Sequence, residues 1–273
     1  MKPIVFYDIP SNMAGNAWSP NTWKTRYCLN YKRLPYTTVW VEFPDIPTLC
    51  LHIRAPKTFA LPMADHTLPA IFDPNTARVV ADSAAIARYL DAAYPSTPRL
   101  VSPPASAPLL AAFDAALVGA LAPDVLALMV PPIRDGLRPR SAAYFTRSRE
   151  AHFGVPLEAL APKGSAKRAG HVAALVKTFE TVAGWLAAGE GEGRGEGEGE
   201  GEERPFFAGD AVSFADVTVA AWLKALRLVL GEDSEVWRAV ASVRGGRWAR
   251  FAAAFEAFEA VDAGTEYVVP DSV

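Results

Sequence analysis

The chain has 273 residues, 51% of them hydrophobic, enough for one large or two medium domains with substantial cores. Its net charge of −3 and pI near 5.9 weigh against a general nucleic-acid binder, which carries a basic excess. Only Cys28 and Cys50 occur, far apart and outside any Cys/His cluster, so neither a disulfide framework nor a metal site is expected and a reducing compartment fits. The segment Met1-Lys2-Pro3-Ile4 opens no signal-peptide apolar region, and no run of about 18 uninterrupted apolar residues exists. A cytoplasmic protein without a membrane span is the expectation.

In chain order, Ile4 to Tyr7 reads as a buried strand. Residues 21–31 read as a helix, with Trp23, Tyr27 and Tyr31 on one face at i, i+4, i+8. The β-branched and aromatic run 37–42 is a second strand, and 47–53 a short helix. Leu68 to Phe72 is a strand, Asp73-Pro74-Asn75 a turn, and 78–81 the return strand. A helix over 83–93 buries Ile86, Tyr89, Leu90 and Ala93. The order β-α-β-α-β-β-α is the thioredoxin topology.

Prolines at 95, 98, 103 and 104 punctuate the chain, and the domain boundary is placed there, with one domain over 1–95 and a second over 105–273. Beyond it the composition turns rich in alanine and leucine and strand signals vanish. Helices are expected over 109–129, kinked at Pro123, and near 141–152, 166–188, 214–230 and 247–260, giving an all-α second domain. Residues 189–204 alternate Gly with Glu and carry seven Glu and two Arg. Such a segment maximises chain entropy and repels itself, so it is expected to be a disordered loop.

Three loop-end signals fall along one edge of the first predicted domain. Ser19 precedes the first helix, where free N–H groups and the helix dipole favour an anion. Leu68-Pro69 opens a strand; a cis proline there turns the Leu68 backbone toward a peptide ligand that pairs like an added strand. Asp82-Ser83 starts the 83–93 helix, where a hydroxyl and N–H groups can hold a carboxylate while the acid accepts from an α-amino group. Each alone has an ordinary explanation as a helix cap or an edge proline. Together they suit one tripeptide thiol, glutathione, with its sulfur at Ser19 and its γ-glutamyl end at Asp82-Ser83. A free thiol has a pKa near 8.5, and a hydroxyl donor at a helix start lowers it. Ser19 is thus a hydrogen-bond donor and not a nucleophile, since no G-x-S-x-G elbow surrounds it. Asn21 and Thr22 are its polar neighbours. With serine and not cysteine at position 19, disulfide-exchange activity is expected to be weak.

The chain resembles the cytosolic glutathione transferases over both domains. Ser19 to Arg26 resembles the motif of the serine-type classes, Leu68-Pro69 the cis-proline strand, Asp82-Ser83 the acid–serine pair, and Gly209 to Asp216 the family's buried helix-start motif. Phe6-Tyr7-Asp8-Ile9-Pro10 and the run from Trp18 to Arg26 resemble the fungal class A enzymes related to β-etherases. The resemblance implies a thioredoxin-like domain plus a helical domain carrying a hydrophobic second-substrate pocket, with Met129, Pro131, Pro132 and Phe145 as candidate walls. It implies glutathione as co-substrate, no other cofactor, a homodimer, and transfer of glutathione to hydrophobic aromatic electrophiles, including aryl ethers from wood. Storage of aromatic compounds with little turnover is the alternative it leaves open. Lys57, and less so His66, are its candidates for meeting the glycyl carboxylate.

Overall fold

The computed structural model describes residues 1–58, 65–188 and 204–270. The Gly/Glu-rich segment therefore lies almost wholly outside the described residues. Strands β1 (Ile4–Asp8), β2 (Tyr36–Trp40), β3 (Ala70–Asp73) and β4 (Arg78–Ala81) alternate with helices α1 (Pro20–Tyr31), α2 (Ile46–His52) and α3 (Ser83–Ala93). β1 runs parallel to β2 and antiparallel to β3, and β3 pairs antiparallel with β4. The first domain is thioredoxin-like, as its element order predicts.

The helical domain holds α4 (Ala107–Gly136), α5 (Pro139–Phe153), α6 (Ala166–Ala187), α7 (Phe214–Leu230) and α8 (Glu235–Phe255). α4 outruns the expected 109–129. It passes Pro123, Pro131 and Pro132 without ending. Interior prolines cost roughly 3 kcal/mol each, and burial of Leu117, Leu121, Val125, Leu128, Met129 and Ile133 offsets that. By length and hydropathy Pro104–Gly136 could cross a bilayer, but 44% of its most apolar window is buried, and the helix packs on α6 and α7. Asp114 and Asp124, both within it, pair with Lys24 at 3.0 Å and His171 at 2.8 Å. α8 joins two helices across a break at 243–246, where the backbone leaves helical geometry; the second starts at the expected residue 247, and the first, capped by the Ser234 hydroxyl, adds a helix that was not expected.

A fifth strand, β5 (Thr265–Glu266), corrects the expectation of a purely helical second half. It joins the sheet beside β2, in parallel, giving the order β4-β3-β1-β2-β5. The chain leading to it is strapped to the first domain. Asn30 Nδ2 donates to the Phe258 and Ala260 carbonyls at 2.7 and 2.9 Å, and Trp40 Nε1 to that of Ala263 at 2.9 Å. The Thr38 N–H and hydroxyl both donate to Asp262. Gly264, at φ +63, has no room for a side chain: a Cβ would lie 2.7 Å from the Thr38 carbonyl oxygen.

α7 opens on the expected S-x-x-D start. Asp216, fully buried, accepts from the Ser213 N–H at 2.8 Å, the Ser213 hydroxyl at 2.6 Å and the Phe207 N–H at 2.8 Å. Burial nonetheless pushes its carboxyl up to about 6, the hydrogen bonds only partly opposing it. The unfolded chain releases that proton near pH 4. Between roughly pH 4 and 6 the folded state therefore holds more protons, so this group's contribution to stability falls as pH rises. Asp216→Asn is expected to flatten that part of the profile. It should also lower stability at neutral pH by about 1–3 kcal/mol, because an amide N–H would meet donors where a carboxylate met them. Urea midpoints across this range check both; an unchanged slope would count against the assignment.

Candidate active site

The three loop ends named from the sequence leave or enter the sheet at the same end: β1 runs out past Tyr7 toward Ser19, β3 begins at Ala70 opposite Tyr7, and β4 ends at Ala81 opposite Ala70. The loop from Ile9 to Trp18 is folded on itself by Ser11, whose N–H and hydroxyl donate to Asn16 at 2.8 Å each. It is docked on the end of α4 by the Asn12 N–H, which donates to the Gly136 carbonyl at 2.8 Å. A Cβ at Gly136 would fall 2.2 Å from the Met13 methyl, so glycine lets the loop lie close.

Ser19 is the N-cap of α1, with extended backbone (φ −70, ψ 128) and proline at the first helical position. Its carbonyl accepts from the Trp23 N–H at 2.9 Å and the Thr22 hydroxyl at 3.2 Å. Its own hydroxyl makes no capping bond, although serine caps usually do. The side chain is nearly buried. Asn21 follows, exposed on the first turn.

The Leu68–Pro69 peptide is cis, directly ahead of β3, and the Pro69 carbonyl accepts from the Asp82 N–H at 3.3 Å. That contact ties the proline turn to the start of α3. Asp82 is the cap of α3: its Oδ1 accepts from the Ala85 N–H at 2.9 Å, and its carbonyl from the Ile86 N–H at 2.8 Å. Its backbone sits at φ +79, a region costly for any residue but glycine and concentrated at functional sites. Ser83, buried, is the first helical residue. The acid thus caps the helix that Ser83 begins.

Lys57 lies apart from this cluster in type. It is exposed and paired with exposed Asp65 at 2.6 Å, a surface pair of small energetic weight; that pairing holds the Asp65 carboxyl below its usual range. His66 is different: its Nδ1 is buried and has no hydrogen-bond partner among the described residues. Of the candidate walls, Met129 and Phe145 are core residues, and Pro131 and Pro132 are half-buried. Both cysteines are free and buried; burial raises the Cys28 thiol strongly and pushes that of Cys50 up to about 11. Neither is a thiolate at neutral pH. Among the described residues no group of three His, Cys, Asp or Glu is placed to hold a metal.

Arg26 carries no signal of its own in the sequence beyond its place in the run from Trp18. Its side chain is fully buried, 2.8 Å from Asp8, and ringed by Phe6, Trp23, Tyr36 and Trp40 at 5.0–5.7 Å. Asp262 of the strap lies 3.6 Å from the same guanidinium. Burial opposes the charge, but Asp8 and Tyr36 outweigh it and hold the pKa above its ordinary value. The partner acid could not be read from spacing, because it comes from the end of strand β1 while Arg26 lies in helix α1.

A thioredoxin-like sheet domain with a cis-proline turn before β3, joined to a helical domain, defines a class of fold, and comparison with known proteins narrows it. Residues 18–93 match the glutathione S-transferase N-terminal domain and 108–258 the glutathione S-transferase C-terminal domain. The chain belongs to the glutathione S-transferase family. It is 32% identical, over 98% of its length and 95% of the relative's, to the glutathione S-transferase-like protein ustS of Aspergillus flavus. Its structure is similar to that of a glutathione S-transferase of Ceriporiopsis subvermispora solved in complex with glutathione, with a TM-score of 0.88 and 43% identity over 96% of this chain and all of that one. It is also similar to the glutathione transferase GSTFuA3 of Phanerochaete chrysosporium, with a TM-score of 0.84 and 42% identity over 96% and 99% of the two chains.

Proposed function

We propose that this glutathione transferase is of the serine type: it binds glutathione across the Ser19, Leu68-Pro69 and Asp82-Ser83 edge and activates the thiol through Ser19. The observation that carries the reading is the Ser19 hydroxyl, placed at a helix start and not spent on capping that helix. A relative 43% identical that is solved in complex with glutathione supports the choice of tripeptide. The Ser19 hydroxyl donates to the thiolate, and the unmet N–H groups of the first turn of α1 add a favourable field. At the other end, the α3 start and the Ser83 hydroxyl receive the γ-glutamyl carboxylate, and the Asp82 carboxylate accepts from the α-amino group. Leu68 offers its backbone to the cysteinyl peptide, with Asn21 a polar neighbour and Lys57 a more distant candidate for the glycyl carboxylate.

The thiolate then attacks a hydrophobic aromatic electrophile. A carbon–sulfur bond forms as the bond to the leaving group breaks, and in an aryl ether the leaving group is the phenolate oxygen. In this reading the chain works as a homodimer, and its ligands are glutathione and an aromatic small molecule. Steady-state turnover of glutathione with aryl halides, isothiocyanates and β-aryl ethers separates catalysis from storage of aromatic compounds. Ser83→Ala is expected to weaken glutathione binding about 10–100-fold, the loss of one hydrogen bond to a charged group. Calorimetry giving an unchanged affinity would sink the γ-glutamyl assignment.

A further inference from the structure

Arg149 on α5 is a half-buried cation that pairs with no acid among the described residues. Its guanidinium lies 4.6 Å from the Phe145 ring centroid and 5.9 Å from that of Phe43, and its one side-chain partner is the Ser148 hydroxyl at 3.1 Å. Three other buried or half-buried cations sit on carboxylates: Lys32 on Asp91 at 2.7 Å, Arg26 on Asp8 at 2.8 Å, Arg138 on Glu266 at 2.7 Å. The acids on the elements around Arg149 are committed elsewhere. Glu42 accepts from the Ser141 N–H and hydroxyl, Asp45 from Arg140, and Glu150 from the Leu157 N–H. Burial accordingly lowers the Arg149 pKa, with only Tyr144 acting the other way. A guanidinium carries five donors, and leaving most of them unmet in a partly dry site is costly.

The surroundings say what would meet them. Phe43 stacks at 11° on Tyr144 and packs on Phe145. On its other side it contacts Trp18, at 6.2 Å between rings, and Trp18 precedes Ser19 in the chain. The indole N–H of Trp18 is buried with no acceptor among the described residues. Phe43, Tyr144 and Arg149 are each only half-buried, so the cluster has an open side. We propose that Arg149 and the Trp18–Phe43–Phe145 aromatic cluster form an acceptor-side subsite that selects aromatic molecules bearing an anionic group, a carboxylate or phenolate. The flat ring lies against the aromatic cluster, and the anion takes the Arg149 fork, a geometry a lysine supplies less well. Its role in selecting an acceptor rests on the placement of the thiol at Ser19; the binding of the anion does not.

The test is calorimetry with 2-naphthoate and its uncharged analogue 2-naphthamide on the full chain, its Arg149→Met and Arg149→Lys variants, and glutathione in parallel. The wild-type protein should prefer naphthoate by about tenfold or more, the scale of a charge-assisted hydrogen bond. Rising salt should erode that preference and leave naphthamide binding unmoved. Arg149→Met should abolish the preference while naphthamide affinity stays within about twofold, and Arg149→Lys should keep part of it. Equal wild-type affinities, or a preference that survives in Arg149→Met, overturns the subsite. If Arg149→Met fails to fold, the wild-type ratio and its salt dependence decide alone. Absence of glutathione binding in every protein, with the naphthoate preference intact, would instead overturn the reading of Ser19.

Discussion

Ser19→Ala is expected to lower glutathione turnover near neutral pH by about 10–100-fold while leaving the melting curve almost unmoved. The first half follows from the hydrogen bond lost. A donor to a charged group contributes about 1.5–3 kcal/mol, and each 1.4 kcal/mol is one pKa unit. The bound thiol should thus titrate one to two units higher, toward the value of about 8.5 of a free thiol. The rate deficit should shrink as pH rises past that midpoint, because the thiolate then forms unaided. The second half follows from the geometry of α1. Losing a capping serine costs about 0.5–2 kcal/mol when its oxygen caps, and here it does not. Thiolate absorbance against pH, read beside thermal unfolding, separates the two effects. An unchanged titration midpoint would show that another group activates the thiol.

Arg26→Met is expected to be the most destabilising single change, by about 3–5 kcal/mol, because it leaves a buried carboxylate without its counter-charge. Asp8 has no exposed surface, and its other recorded partner is the neighbouring Ile9 N–H at 2.6 Å. The lost guanidinium also empties a box of four aromatic rings and frees one anchor of Asp262. Arg26→Lys should recover only part of the loss, since an ammonium cannot reach Asp8, Tyr36 and Thr38 together as the fork does. Pairing Arg26→Met with Asp8→Leu should restore much of the stability, because removing both charges removes the orphan. Denaturant midpoints for the three variants test this. A single variant as stable as the parent would mean that Asp8 finds another partner or takes up a proton without penalty.

What could be read from the sequence was local. The strand–helix order of the first domain, the proline turn before β3 and the helix starts at Ser19 and Asp82 are all written within a few residues of where they act. So is the Asp216 cap, three positions from Ser213. The errors share a different origin. β5 is two residues long, shows no alternation, and exists because β2 offers it an edge 225 residues away in the chain. α4 continues through three prolines because of what its other faces bury. At Asp82-Ser83 the sequence left open which residue caps the helix, and the bond from the Ala85 N–H to Asp82 Oδ1 shows that it is the acid. Arg149 and Trp18 carried no local signal, because what sets them apart is a missing partner, and an absence of that kind exists only in three dimensions.

The strap has a bearing on how the chain is made. β2 leaves the ribosome early, yet its outer edge stays unpaired until residues roughly 225 positions later arrive, about 10–45 s at ordinary elongation rates of 5–20 residues per second. Throughout that interval the emerging sheet presents bare N–H and C=O groups beside Trp40 and the unfinished Arg26 box. The thioredoxin-like domain is therefore synthesised before the helical domain yet completed after it, and nascent chains are most open to pairing with one another while the helices are still being made.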